Sequence, residues 1–110
     1  MEDLRDAVLG LIKGEAEAIK FIEDSPADAQ AATNSGIEKI SGKPLKDAVI
    51  KAAFANLHFT LDPLASSLKK SAQDAYDAGL LKDTKLDGIY DLALVNQVLK
   101  DEGQPEVTGL

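Results

Sequence analysis

Apolar positions along this chain recur at helical spacing. Between Glu2 and Glu23 they fall at Leu4, Val8, Leu11, Ile12, Ile19 and Ile22, and steps of three, four and seven put such residues on one side of an α-helix. Gly10 and Gly14 weaken that helix by up to about 1 kcal/mol each relative to alanine, or let it approach a neighbour closely. Ser25-Pro26-Ala27-Asp28 marks a second start. Serine suits the cap, proline the first helical position, and aspartate the positive end of the dipole. The Ala-rich run that follows carries Ile37 and Ile40 and stops at Gly42.

Lys43-Pro44 opens a short connection. From Leu45 to about Asn56 a third helix is expected, with Leu45, Val49, Ala52, Ala53 and Leu57 on one side. His58-Phe59-Thr60-Leu61 is short and rich in β-formers, so it reads as extended chain. Asp62-Pro63 repeats the cap-then-proline device, and the helix after it aligns Leu64, Leu68, Ala72 and Ala75 before Gly79 closes it. Leu80 and Leu81 are expected to pack as the chain turns. Lys82 to Gly88 reads as a polar loop. A last helix is expected from about Ile89 to Glu102, with Leu92, Val95, Val98 and Leu99 inward and Gly103 as terminator.

The pattern therefore predicts an all-α chain of about five helices with short connections and no strand of useful length. Residues 1–103 read as a single helical domain or fragment, and 104–110 as a flexible tail. Two architectures fit: an isolated bundle, or the helical portion of a larger α/β protein. An amphipathic helix that begins at once, without cap or leader, favours the second.

Composition sharpens this. The 110 residues are 45% hydrophobic and 28% charged, with 5% aromatics and no Trp, so a core has to be built from Ala, Leu, Ile and Val. A domain of this length ordinarily buries roughly 65% of its unfolded surface. The net charge of −7 argues against nucleic acid, which needs clustered Lys and Arg, and against an anionic membrane surface. The absence of cysteine excludes disulfides, thiol catalysis and Cys-ligated zinc. No apolar run approaches the roughly 20 residues of a membrane span. Met1-Glu2-Asp3-Leu4-Arg5-Asp6 lacks the basic and apolar regions of a signal peptide, so any export signal would lie outside this sequence.

The candidate chemistry is sparse. His58, the only histidine, would need a partner to act as a general base. Asp62 lies four residues on, but the intervening segment is not helical, and a partly buried structural histidine is expected instead. Asp74, Asp77 and Asp91 lie near Tyr76 and Tyr90. The first two fall on the polar side of a patterned helix, as a solvated face would. Lys69-Lys70 is too small for a phosphate patch. The carboxylates between Asp83 and Asp91 lack the alternating ladder of a calcium loop. Neither a glycine-rich phosphate loop nor a serine nucleophile elbow is present. No catalytic residue, metal ligand or cofactor site is therefore expected, and ligand-contacting residues are not legible. Leu86-Asp87-Gly88-Ile89-Tyr90-Asp91-Leu92 resembles the acyl carrier proteins, but Gly88 stands where that family carries its modifiable serine.

Three stretches in order resemble one family. They are Ile12-Lys13-Gly14 through Phe21-Ile22-Glu23-Asp24-Ser25-Pro26-Ala27-Asp28-Ala29; Leu57-His58-Phe59-Thr60-Leu61-Asp62-Pro63-Leu64 with Ser67-Leu68; and Ala78-Gly79-Leu80-Leu81, Leu86 to Leu92 and Val95-Asn96. Together they are similar to the C-terminal region of ABC-importer substrate-binding proteins of the aliphatic-sulfonate, taurine and nitrate type. The resemblance implies a complete protein of the two-lobe α/β periplasmic-binding-protein fold. It would bind a small oxyanionic or sulfur-containing solute in a cleft and deliver it to a membrane permease. Its location would be the periplasm or, as a lipoprotein, the cell surface. This chain would be its final helical region, unable to bind solute alone and carrying an apolar face open to a partner, a second copy included. Ligand residues in that family lie upstream, so none transfers here. The helix starts at Pro26 and Pro63 could face an anion, but Ser25 and Asp62 are expected to cap them. The alternative is a stand-alone acidic helical interaction module with a closed core.

Overall fold

The computed structural model describes residues 4–110. It contains five helices: α1 (Arg5–Asp24), α2 (Pro26–Ser41), α3 (Asp47–Ala55), α4 (Ala65–Asp77) and α5 (Ala93–Asp101). No strand occurs among the described residues, so the all-α expectation holds. Glu2 and Asp3, where the pattern places the start of the first helix, lie outside the described residues. The chain divides into two compact units. One is Gly14–Thr60; the other is Leu61–Leu110 with the first part of α1, up to Lys13.

In the unit Gly14–Thr60, the second half of α1 leads into α2 through a single residue. Pro26 has no N–H to continue the helical ladder, and it drives the preceding residue out of the α region. Ser25 accordingly sits at φ −138°, ψ 61°. Its hydroxyl does not cap α2, contrary to the expectation. The backbone does the joining: Ser25 N–H donates to the Phe21 carbonyl at 2.9 Å, and Ala29 N–H donates to the Ser25 carbonyl at 3.0 Å. α2 ends where expected. Gly42 adopts φ 78°, and its N–H donates to the Glu38 carbonyl at 2.7 Å, the left-handed ending that glycine adopts most readily. The backbones of α2 and α3 approach within 8 Å of each other.

α3 starts two residues later than the pattern suggests. Leu45 cannot join it, because the Asn34 side chain takes both of its backbone groups: Leu45 N–H donates to Oδ1 and the Leu45 carbonyl accepts from Nδ2, each at 2.8 Å. The face of α3 also differs. Ile50 is the buried residue, whereas Leu45, Val49, Ala52, Ala53 and Leu57 are all exposed. After α3, Phe54 and Phe59 meet with ring centroids 5.5 Å apart.

In the second unit, α4 begins at Ala65 rather than Pro63. Asp62 Oδ1 accepts the N–H of Leu64 at 2.8 Å, and Leu64 takes φ 55°, the one non-glycine positive φ among the described residues. Asp62 therefore holds a turn instead of capping a helix. α5 begins at Ala93 rather than Ile89 for a related reason. Leu86 to Ile89 form a turn with Gly88 at φ 74°, and Asp91 Oδ1 takes the Ala93 N–H at 3.1 Å. Short aspartate side chains compete with the helix for backbone donors, which delays both starts.

α4 and α5 end in the same way. Gly79 N–H donates to the Tyr76 carbonyl and Leu80 N–H to Ala75; Gly103 N–H donates to Lys100 and Gln104 N–H to Leu99. This paired arrangement needs a left-handed residue, and both glycines supply it at φ 74° and 68°. Leu80 and Leu81 do not pack as expected; both are exposed. Residues 104–110 carry no helix or strand, but Asn96 clasps Val107 as Asn34 clasps Leu45. Val107 N–H donates to Oδ1 at 2.8 Å and Asn96 Nδ2 donates to the Val107 carbonyl at 3.0 Å. Arg5 Nη2 also donates to Gln97 Oε1 at 2.7 Å, tying the start of α1 to α5.

Gly10 and Gly14 do not mark a close approach, since a Cβ at either, or at Gly36, would meet nothing within 4 Å. Gly10→Ala and Gly36→Ala should each stabilise their helix by about 0.5–1 kcal/mol, read as a rise in Tm of several degrees. Asn96→Ala should cost about 1–3 kcal/mol through its two lost hydrogen bonds. Amide exchange at Val107 should accelerate in that variant, with Asn96→Asp intermediate because it keeps the acceptor and loses the donor.

Candidate functional site

The residues that carry candidate chemistry do not converge. His58 is exposed, which corrects the expectation of a partly buried histidine: it follows α3 on irregular chain, and no helix covers it. It lines an open hollow of about 340 Å³ with Ile22, Pro26, Lys51, Phe54 and Phe59. Glu23 lines the same hollow, but among the described residues no carboxylate is hydrogen-bonded or ion-paired to His58. Asp62 belongs to the other unit, where its Oδ1 is engaged by Leu64.

The carboxylates of α4 are paired along their own helix. Lys70 Nζ lies 2.8 and 3.0 Å from the two Asp74 oxygens, and Gln73 Nε2 donates to Asp77 Oδ1 at 2.8 Å. These are i,i+4 contacts on an exposed face, worth a few tenths of a kcal/mol each. Tyr76 is about half exposed, whereas the Tyr90 hydroxyl donates to the Pro63 carbonyl at 3.3 Å. Asp91 and Asp83 hold the N–H groups of Ala93 and Lys85. Lys69 edges a shallow hollow of about 210 Å³ beside Asp62, Leu64 and Leu110. Among the described residues, no three His, Asp or Glu side chains form a set able to hold a metal ion, and no helix is long and apolar enough to cross a membrane.

What the structure does present is apolar surface. Among the described residues the buried side chains are Ala16, Ala29, Ile50, Ala65, Ala72, Val98 and Leu99. Only three of them are large. The exposed set includes Ile40 at 91% and Leu80 at 79%.

Two features were not drawn from the sequence. The asparagine clasps had a faint signal, because Asn34 and Asn96 sit inside helices, where asparagine is a poor former. The exposed residues of α1, including Leu11 and Phe21, had none, since periodicity reports apolar positions and not which of them find a partner. Comparison with protein-family models, with curated proteins and with solved structures finds no match.

If the hollow is maintained by its aromatic pair, Phe59→Ala should cost about 1–3 kcal/mol through lost burial and ring contact. His58→Ala should stay within about 0.5 kcal/mol of the parent, as exposed substitutions do. Urea unfolding of the two variants checks the contrast.

Proposed function

We propose that this chain is the final helical portion of the solute-binding component of an ABC importer for sulfonate, taurine, nitrate or related small solutes. The observation that carries the reading is the exposure of large apolar side chains. With Leu4, Leu11, Val49, Leu57 and Leu80 all exposed, the chain offers apolar faces to lie against something else, and large apolar patches mark such sites. In the proposed protein that something is the sheet-bearing body of the two lobes. A self-contained interaction module would have a closed core, so the same exposure weighs against that alternative.

The local geometry of the family-like stretches adds support. Their distinctive residues each shape the backbone path. Asp62 and Asp91 hold turns, Gly79 ends α4, Gly88 makes a left-handed turn, and Asn96 clasps the chain end. Such roles are sensitive to residue type, so a similar series in another chain would specify a similar path.

In this reading the complete protein resides in the periplasm or on the cell surface and hands its solute to a membrane permease. The cleft belongs to the two lobes. This portion supplies no catalytic group, no cofactor site and no solute contacts of its own; it buttresses the lobe on which it packs.

The test compares two proteins, the 110-residue chain and the product of the whole reading frame that encodes it. Taurine, an alkanesulfonate, nitrate and sulfate are titrated into each by calorimetry, with thermal melts alongside. The longer product should bind one of them, and at about 100 times the dissociation constant its stability should rise by roughly 2.7 kcal/mol. The 110-residue chain should show no shift. Binding by the short chain alone, or none by the longer product, would overturn the proposal.

A further inference from the structure

We propose that Asp87 is a site of spontaneous covalent modification, where the side-chain carboxyl closes onto the Gly88 backbone nitrogen and the residue becomes isoaspartate. Asp87 is the only aspartate of the chain that precedes a glycine. Glycine matters because the residue that attacks then carries no β-carbon to crowd the forming ring. Asp87 and Gly88 occupy the centre of a turn in which Ile89 N–H donates to the Leu86 carbonyl at 3.2 Å. Gly88 takes φ 74° and Asp87 does not take a positive φ, the pattern of a type II turn. Both residues are exposed, and both border an open hollow of about 280 Å³.

The two reacting groups are unengaged. Among the described residues neither the Asp87 carboxylate nor the Gly88 N–H has a hydrogen-bond partner, so neither has to be released first. A Cβ at Gly88 would meet nothing within 4 Å, which leaves room for the ring. Ring closure must rotate the Asp87–Gly88 peptide out of the turn. Only the Ile89 bond opposes that rotation, and it is at the long end of the N–H···O range. Other aspartates are held. Asp62, Asp83 and Asp91 each accept the N–H two residues on. Asp74 and Asp77 are bonded to Lys70 and Gln73, and after Asp24 the Ser25 N–H is bonded to Phe21.

The step balances with water alone. The Gly88 nitrogen gives up its proton and attacks Cγ of Asp87; the C–N bond forms, a C–O bond breaks and water leaves. The succinimide then takes water back. Opening at the side-chain carbonyl restores aspartate. Opening at the main-chain carbonyl frees that group as the carboxylate and routes the backbone through Cβ and Cγ. Nothing is oxidised or reduced, and the mass is unchanged. The main chain gains one carbon just before Tyr90, whose hydroxyl bonds the Pro63 carbonyl ahead of α4, so the product lengthens the loop that this bond ties down. The inference does not rest on the transport reading.

The purified chain is aged in warm neutral buffer made with heavy-oxygen water, then digested and read by mass spectrometry. Each ring opening fixes one labelled oxygen at the residue, and chain fragmentation separates isoaspartate from aspartate. Isoaspartate should accumulate at residue 87 at least about tenfold faster than at any other aspartate, a barrier lower by about 1.4 kcal/mol. A peptide spanning Lys85 to Tyr90 should react within about tenfold of the folded chain, because the turn withholds little. Asp87→Glu should slow the reaction at least about tenfold, since its ring would be six-membered. Asp87→Asn should instead release ammonia and give the same aspartate and isoaspartate mixture. Label spread evenly over the aspartates, or no label at residue 87, would overturn the proposal. So would a folded chain slower than the peptide by more than about tenfold, or Asp87→Glu labelled as readily as the parent. The parent chain and the peptide decide the matter even if a variant fails to fold.

Discussion

A chain in which only three large side chains, Ile50, Val98 and Leu99, are buried among the described residues must fix its irregular segments by other means, and here asparagine amides do so. Asn34 and Asn96 each reach out of a helix and take both the N–H and the carbonyl of a residue eleven positions later. In each case the intervening chain ends the helix at a left-handed glycine and passes a proline: Gly42 and Pro44, then Gly103 and Pro105. A side-chain amide presents the same donor and acceptor pair as a strand edge, so each clasp substitutes for a ladder that this all-helical chain lacks. Two neutral hydrogen bonds contribute only about 1–3 kcal/mol together. That matters in a chain with so little apolar burial. One clasp lies in each compact unit.

Aspartates play the complementary part at helix starts. Asp62, Asp83 and Asp91 each accept the N–H two residues on. The first and third do so just ahead of α4 and α5. The same carboxylate that makes aspartate a good cap makes it a good turn former, and the choice between the roles depends on the backbone around it. At Asp62 the proline that follows and the left-handed Leu64 divert the side chain into the turn. Most of the chain's candidate acids are accounted for in this way or by i,i+4 pairing on α4.

The helices, their number and order, and their glycine stops could be read from local pattern, because each is decided within a few residues. Period-3.6 apolar spacing, the missing N–H of Pro26 and the left-handed freedom of Gly42, Gly79 and Gly103 act whatever lies elsewhere in the fold. The starts of α3, α4 and α5 shifted by two to four residues, since those depend on which acceptor captures a given N–H. For α3 the competitor, Asn34, sits eleven residues before Leu45, beyond the reach of any local rule.

Which apolar face is covered belongs to tertiary structure alone. Pattern identified apolar residues on α1 and α3 but could not say that Ile50 would be buried while Val49 stayed in solvent. Nor could it say that Leu11 and Phe21 would stay exposed while Ala16 was buried. Spacing along a helix fixes the angle between side chains. Burial requires a second surface at that angle, and only the path of the whole chain supplies it or leaves it wanting. The sequence by itself determined that this protein is acidic and helical; the tertiary structure decided how few of its large apolar side chains are buried and which of its apolar faces stay exposed.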